Sequence, residues 1–433
     1  MEEKKPVIVI ADTHLGLRPR KVLGIDLQSE TCEPAILSGF LNWLVDLEEK
    51  GSCILPLAAT MSGEPDQMEL KPPGTLVLLG DILELWDSSQ RAVEMCGTSI
   101  LQTLSKLRCE KVYVLGNHDH PLSELAGSSY PSGPTPMLLT TPVFPPEEDG
   151  TIEPMEMDDA AYLFVHGQQF DRWFVASRGL DQFIGVMRDG AVAFGQYSKW
   201  LALAFVAALM ISLWNQIPYL SQMVSLLDQT QYLRRIAWFL NQIPRLSSLT
   251  SLATVMLAFV AIPWMIMTFA RAGFNRVKSR KHDKKGAIEG FEKWWSNWAR
   301  PRLQTFRERK RDRHISVIYG HTHLADVIER QEMNSVLANK VQDDVTLINI
   351  PAWVHDTKIQ YQDVLRAMFL YIHDKGYEFF GWDWEANTPR HISKEDVRRR
   401  IRGEATDDML ARLASAGWSS KMQDKWRTPL VVP

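Results

Sequence analysis

A layered α/β domain is the architecture predicted for this chain of 433 residues, and three features carry the prediction. Short β-branched or aliphatic runs recur at Val7 to Ile10, Leu76 to Leu79, Val112 to Leu115 and Tyr162 to Val165, separated by helical stretches and Gly/Pro loops. Each run is too short for a helix and apolar at consecutive positions, as expected of a strand covered on both faces. Each also ends at a polar group capable of chemistry.

Between these runs, Pro131 to Asp149 is rich in proline and ends acidic, which predicts a surface loop. The strand signature returns at Ile315 to Tyr319 and Val345 to Ile350. It closes with a predicted hairpin in which Arg366 to Ile372 and Tyr377 to Trp384 flank the turn Asp374-Lys375-Gly376. The tail from Ser393 predicts two short helices, with Ser393 and Asp396 as a capping box and Gly403 and Gly417 as stops.

Composition narrows the class. Hydrophobic residues at 45%, charged residues at 23% and a net charge of −4 exclude wholesale disorder, a collagen-like repeat and a polytopic transporter. Cys32, Cys53, Cys96 and Cys109 lie at irregular spacings with no C-x-x-C pair, so they read as reduced thiols rather than a zinc ribbon or disulfide framework. Met1-Glu2-Glu3-Lys4-Lys5 runs straight into Val7 to Ile10 without an apolar leader, which predicts a cytoplasmic N-terminal part.

The middle of the chain differs. Trp200 to Leu227 and Leu246 to Ala270 contain no charged residue, and Leu252 to Ala270 approaches the roughly 20 residues that span a bilayer. Arg271 to Arg313 then carries 15 Lys/Arg against 5 Asp/Glu. The expectation is an inserted apolar helical hairpin that spans or lies on the membrane through 200–270, with the basic 271–313 on anionic lipid at the cytoplasmic side. Trp294, Trp295 and Trp298 read as an interfacial belt, and nucleic acid is the disfavoured partner for the cations. The predicted division is 1–175 and 301–390 as two halves of one domain, 176–300 as the insertion and 391–433 as a helical tail. Oligomeric state is left open.

The chemistry lies just after the predicted strands. Asp12-Thr13-His14 follows the first, Gly80-Asp81 the second, Gly116-Asn117-His118-Asp119 the third, His166-Gly167 the fourth and Gly320-His321-Thr322-His323 the late one. Strand C-termini in layered α/β folds line one rim, so these positions can converge. D-x-H and H-x-H on extended backbone place both side chains on one side. Two such pairs, a carboxylate able to bridge, an Asn and a further His suit two metal ions a few Å apart. Glycine before Asp81, Asn117 and His321 allows close backbone approach.

At these residues the sequence resembles the calcineurin-like metallophosphoesterases, whose pattern is D-x-H, G-D, G-N-H-D/E, H and G-H-x-H in this order. The resemblance covers residues 7 to 172 and about 315 to 385. It implies a four-layer αββα sandwich with a binuclear centre at one edge. Asp12, His14, Asp81 and His323 would hold one divalent metal, and Asp81, Asn117, His166 and His321 the other. Manganese is the first expectation, with iron, zinc or magnesium also compatible. His118 resembles the family's catalytic histidine, with Asp119 expected to orient its imidazole. Trp353, after a late strand, reads equally as a neighbour of the metals or a core residue.

Leu76 to Asp87 and Ile348 to Asp356 look most like the branch that includes UDP-diacylglucosamine pyrophosphatases, which act on lipid-linked substrates. His118, Gln168 and Pro351 stand where that branch has Arg, Asp and Gly. The function expected is metal-dependent hydrolysis of a phosphoester or pyrophosphate bond on a lipid or lipid-linked substrate. A phosphodiesterase for soluble nucleotides or nucleic acid, with the insertion as anchor, and a non-catalytic membrane scaffold are the rival readings.

Overall fold

Strand Val7–Ile10 shows how the chain is layered. Its alternate side chains enter two different cores: Val7 and Val9 one, Ile8 and Ile10 the other. That division is the period-two geometry of an extended chain with apolar cover on both faces. The computed structural model describes residues 4–18, 20–22, 25–28, 30–57, 67–85, 88–158, 160–170, 284–321, 326–337, 343–356, 367–401 and 407–427. These all fall within Met1–Val175 and His282–Pro433, which form one compact unit although separated in sequence.

The protein is of the α/β class, as its apolar runs predict. An eight-stranded sheet has the order Thr388–Ile392, Gly376–Asp383, Met368–His373, Val7–Ile10, Thr75–Leu79, Glu110–Val114, Met137–Thr140, Ser129–Tyr130. Val7–Ile10, Thr75–Leu79, Glu110–Val114 and Met137–Thr140 run parallel, while the late hairpin joins antiparallel. A six-stranded sheet places Ala160–Val165 parallel to His314–Tyr319, and that strand parallel to Val345–Asn349.

One core contains Val77, Val114 and Leu370 from the first sheet together with Tyr162, Phe164 and Ile348 from the second. On the other face of the eight-stranded sheet, Leu37, Phe40 and Leu44 of helix Pro34–Lys50 and Ile100 and Leu104 of helix Gln90–Leu104 meet Ile8, Leu78 and Tyr113. On the other face of the six-stranded sheet, Ile288 and Phe291 of helix Lys284–Trp294 meet Leu163, Val165 and Val317. Parallel strands C-terminal to a common edge thus bring Asp12, Asp81, Asn117, His166 and His321 to one rim.

Three expectations change. Pro131 to Asp149 is not wholly loop: Met137–Thr140 and Val143–Phe144 are strands, because Leu139 and Val143 are apolar enough to be buried between the prolines. Among the described residues the tail after Ser393 forms three helices, Lys394–Ile401, Asp407–Ser415 and Ser420–Arg427. Its first begins at the expected capping box, the Asp396 amide donating to Ser393 Oγ at 3.0 Å. The tryptophan belt is also corrected. Trp295 is 3% exposed and donates to Asp343 at 2.7 Å, and Trp294 stacks on Trp298 beneath the Arg302 guanidinium.

Several cations of 284–313 have partners within the protein. Arg302 pairs with Glu147 at 2.6 Å, Lys310 with Glu156 at 3.5 Å, Arg309 with Glu153 and Arg307 with Asp343. The acidic end of the 131–156 segment and the basic stretch therefore offset one another, which a run count along the chain does not reveal. Both apolar runs, Trp200 to Leu227 and Leu246 to Ala270, lie outside the described residues, as do Gly403 and His323. Among the described residues no helix is long and apolar enough to cross a membrane.

Helix Lys284–Trp294 is seated by a glycine. A Cβ on Gly290 would lie 1.8 Å from the Phe170 carbonyl oxygen, while Phe170 packs edge-on against Phe291 and Tyr319. Gly290→Ala is therefore expected to destabilise the protein by about 1–3 kcal/mol through overpacking, measured as a lower denaturation midpoint at unchanged slope.

Candidate metal centre

Asp12, His14 and His321 do not stand on the extended backbone that the D-x-H and H-x-H spacings predicted. Their φ angles are 51°, 42° and 71°, and that of Asp81 is 51°. Strand Val7–Ile10 ends two residues earlier, and the chain then turns through the left-handed region at residues without the freedom of glycine. Such positions carry strain that surrounding contacts must hold. The Asp12 amide donates to Gly80 O at 3.0 Å, the His14 amide to Asp81 O at 2.8 Å and the Leu15 amide to Ile82 O at 2.8 Å. The two strand ends thus fix each other in register.

Three glycines let these segments approach. A Cβ on Gly80 would meet His166 Nδ1 at 2.1 Å, on Gly116 would meet Asp81 Oδ1 at 2.2 Å, and on Gly320 would meet Asp12 Oδ2 at 2.4 Å. Each glycine precedes one candidate ligand and makes room for another. Of the three, Gly80 also needs a positive φ, 75°.

The ligand types gather as the motifs predict, across more than 300 residues. Asp81, His166 and His321 form one set, and Asp12, His14 and Asp81 a second, the donor atoms of each lying within 4.8 Å of one another. Asp81 is common to both. His166 Nε2 lies 3.1 Å from Asp81 Oδ2 and 3.2 Å from Asn117 Oδ1, so Asn117 joins the first set. The Leu79 carbonyl at 3.2 Å from His166 Nδ1 keeps the proton on that nitrogen and turns Nε2 to the centre. Asp12 Oδ1 is buried without a hydrogen-bond partner, while Oδ2 accepts from the His321 amide at 2.8 Å. A buried carboxylate oxygen without a hydrogen bond is costly, and a cation is the partner that this set of oxygen and imidazole donors fits. The buried clusters could accordingly hold metal ions.

Glu84 is the residue that the motifs did not single out. It is fully buried. Oε2 lies 2.9 Å from His14 Nδ1 and 2.7 Å from His118 Nδ1, so one carboxylate orients two imidazoles whose rings meet edge to face at 4.7 Å. Its signal was an acid inside the otherwise apolar Ile82-Leu83-Glu84-Leu85-Trp86. Asp119, expected to orient His118, instead accepts from the Ile82, Leu83 and Gly116 amides and the Tyr113 hydroxyl. It fastens the loop of Asn117 to the loop of Asp81, and Glu84 takes the place expected of it. Trp353 is a core residue, its indole donating to Met368 O at 2.8 Å.

The charges are mutually matched. Burial works to raise the Asp81 carboxyl, but His166, His118 and His14 hold it well below the usual range. Burial likewise opposes Glu84, and His118 and His14 outweigh it in the same direction. Burial would lower His14 and His166, yet Glu84 and Asp81 raise the first, and Asp81 and Asp12 the second, each to about 9. Burial and the nearby Asp81 charge push Asp119 up to about 6.

Neither a protein-family model nor a curated protein matches the chain.

His14 and His166 titrate near 9 in the fold against an ordinary 6.5. The stability they contribute is therefore complete below pH 6.5 and is lost as the pH rises through 9. Scanning calorimetry of the metal-stripped chain is expected to show a melting temperature that falls across this window. Divalent metal should raise it most at the upper end, since coordination requires neutral imidazole. A flat or rising melting temperature without metal would contradict the assignment.

Proposed function

We propose that this chain is a metal-dependent phosphoesterase of the calcineurin-like type, acting on a phosphoester or pyrophosphate bond of a lipid or lipid-linked substrate. The observation that carries the reading is the convergence of strand-end residues from Asp12 to His321 into two ligand-type sets that share Asp81. In this reading the two sheets with helices on their outer faces are the four-layer αββα sandwich of that family. Asp12, His14, Asp81 and His323 would hold one ion, and Asp81, Asn117, His166 and His321 the other, manganese being the first choice.

A pair of divalent ions supplies positive charge for phosphate oxygens and brings the pKa of water towards neutrality. The chain's own part centres on His118. Its Nδ1 faces Glu84, which leaves Nε2 as the nitrogen for the leaving-group oxygen. The Glu84 carboxylate fixes the orientation of the ring, so that Nε2 is the atom that would deliver a proton to that oxygen. The His118 amide donates to Asp81 Oδ1 at 2.7 Å, so the acid is placed relative to the shared ligand rather than to a flexible loop. Asp119 ties the two loops together, and the donor and acceptor positions then move as one body.

The lipid part rests on the uncharged stretches Trp200 to Leu227 and Leu246 to Ala270, which lie in the sequence between His166 and His321. Apolar runs of this length favour a substrate with an apolar part, presented at the cytoplasmic face of a membrane.

Purified chain with manganese should hydrolyse an aryl phosphodiester. His118→Ala is expected to lower turnover about 100- to 10,000-fold with bound metal retained, whereas Asp81→Asn should lower bound metal at both positions, read by elemental analysis. Glu84→Gln is expected to cost roughly 10- to 100-fold in turnover or metal affinity. Preference for nucleotides over detergent-dispersed lipid pyrophosphates would remove the lipid part of the proposal. A metal-loaded wild type inert on every phosphoester would favour the scaffold reading.

A further inference from the structure

Cys32 and Cys96 are 64 positions apart in sequence, yet their sulfurs lie 3.8 Å from each other. Cys32 ends the short strand Glu30–Cys32, which pairs with Val354–Asp356, and Cys96 stands on helix Gln90–Leu104. Cys32 is 7% exposed, whereas Cys96 is half-buried. Cys53 and Cys109 are also free, Cys109 being buried beside the Glu48 carboxylate that accepts from its amide. Among the described residues no other thiol pair is brought to contact.

The pair adjoins the candidate metal centre through a short path. Cys32 Sγ accepts from the Gly16 amide at 3.4 Å, the Cys32 amide donates to Leu17 O at 3.2 Å, and the Leu17 amide donates to His14 O at 2.9 Å. Gly16 is also pressed against helix Gln90–Leu104, where a Cβ would lie 2.8 Å from Val93 Cγ2, and its carbonyl accepts from Ser88 at 2.6 Å. The 14–17 turn is thus clamped between the two elements that carry the thiols. A disulfide needs sulfurs about 2 Å apart, so making it draws the sulfurs together and takes Cys32 Sγ from its contact with the Gly16 amide.

We propose that Cys96 and Cys32 are a dithiol modification site for hydroperoxides, whose disulfide displaces the turn bearing His14 and so lowers metal binding at the adjoining centre. Cys96, the more exposed thiol, reacts first. Its thiolate sulfur attacks the O–O bond of the hydroperoxide, forming a sulfenic acid and releasing the alcohol, or water when the oxidant is hydrogen peroxide. Cys32 Sγ then attacks the Cys96 sulfur. The S–S bond forms, the S–O bond breaks, and the hydroxyl leaves as water with the Cys32 proton. The two thiols together lose two electrons and two protons, and the hydroperoxide takes up both.

Burial raises the Cys32 thiol to about 11 and keeps it from oxidant in solvent, so Cys96 is the thiol that meets the hydroperoxide first.

The effect on turnover rests on the proposed function, while the crosslink does not. The full chain, reduced and manganese-loaded, is exposed to hydrogen peroxide and examined by peptide mapping without reductant, bound-metal analysis and aryl phosphodiester turnover. A Cys32–Cys96 linked peptide reversed by dithiothreitol is expected, with roughly ten-fold weaker metal binding and a parallel loss of turnover. Cys96→Ser should keep the basal values and resist peroxide, and Cys53→Ser should respond as wild type does. Oxidation of Cys96 to sulfinic acid without a crosslink overturns the site. A complete crosslink with metal binding unchanged overturns its coupling to the centre. A chain with no phosphoesterase turnover tells against the function alone, because crosslink and metal binding still report on the thiols.

Discussion

The buried Asp81 carboxylate is the group on which the rim of this protein is organised. A carboxylate without water needs compensating charge and donors, and Asp81 finds them in imidazoles from three separate segments and in the His118 amide. Those partners are themselves held: His14 and His118 by Glu84, His166 by the Leu79 carbonyl. Altering any one of these groups leaves another buried charge exposed to its neighbours. The set therefore behaves as a unit, and the opposed pKa shifts of its acids and histidines are the electrostatic mark of that unit.

Close approach is the second requirement, and it is met in the backbone. Four ligand-type residues accept left-handed φ angles, while Gly80, Gly116 and Gly320 leave out the side chains that would collide with His166, Asp81 and Asp12. Amide-to-carbonyl bonds between the first and second strand ends hold the strained turns in place. Strain stored in this way persists only where the surroundings over-determine it, and parallel strands buried between two cores are such surroundings.

Away from the rim, charge is balanced over long stretches of chain. Arg302, Arg307, Arg309 and Lys310 meet Glu147, Asp343, Glu153 and Glu156, and the tryptophans among them pack into a core behind the six-stranded sheet. Most of these pairs are partly solvated, so each contributes on the order of 1 kcal/mol or less. The packed apolar face of helix Lys284–Trp294, with Phe291 and Ile288, does more to hold the segment.

Much of the site is legible in the sequence, because strand ends and ligand types leave a local mark: a short apolar run, then Asp, His or Gly-Asn-His. The parallel strands and the gathering of Asp81, Asn117, His166 and His321 at one rim followed from that mark. The separate duties of Glu84 and Asp119 did not, for both are buried acids near histidines and differ only in which loop each faces in three dimensions. The same holds for the Cys32–Cys96 contact, for the acidic partners of the basic stretch and for the inward turn of Trp295. Periodicity and residue type report what a segment covers and what an atom can bind. Which groups meet across tens to hundreds of residues depends on the packing of sheets and helices, where burial turns a proximity of a few Å into an energetic preference.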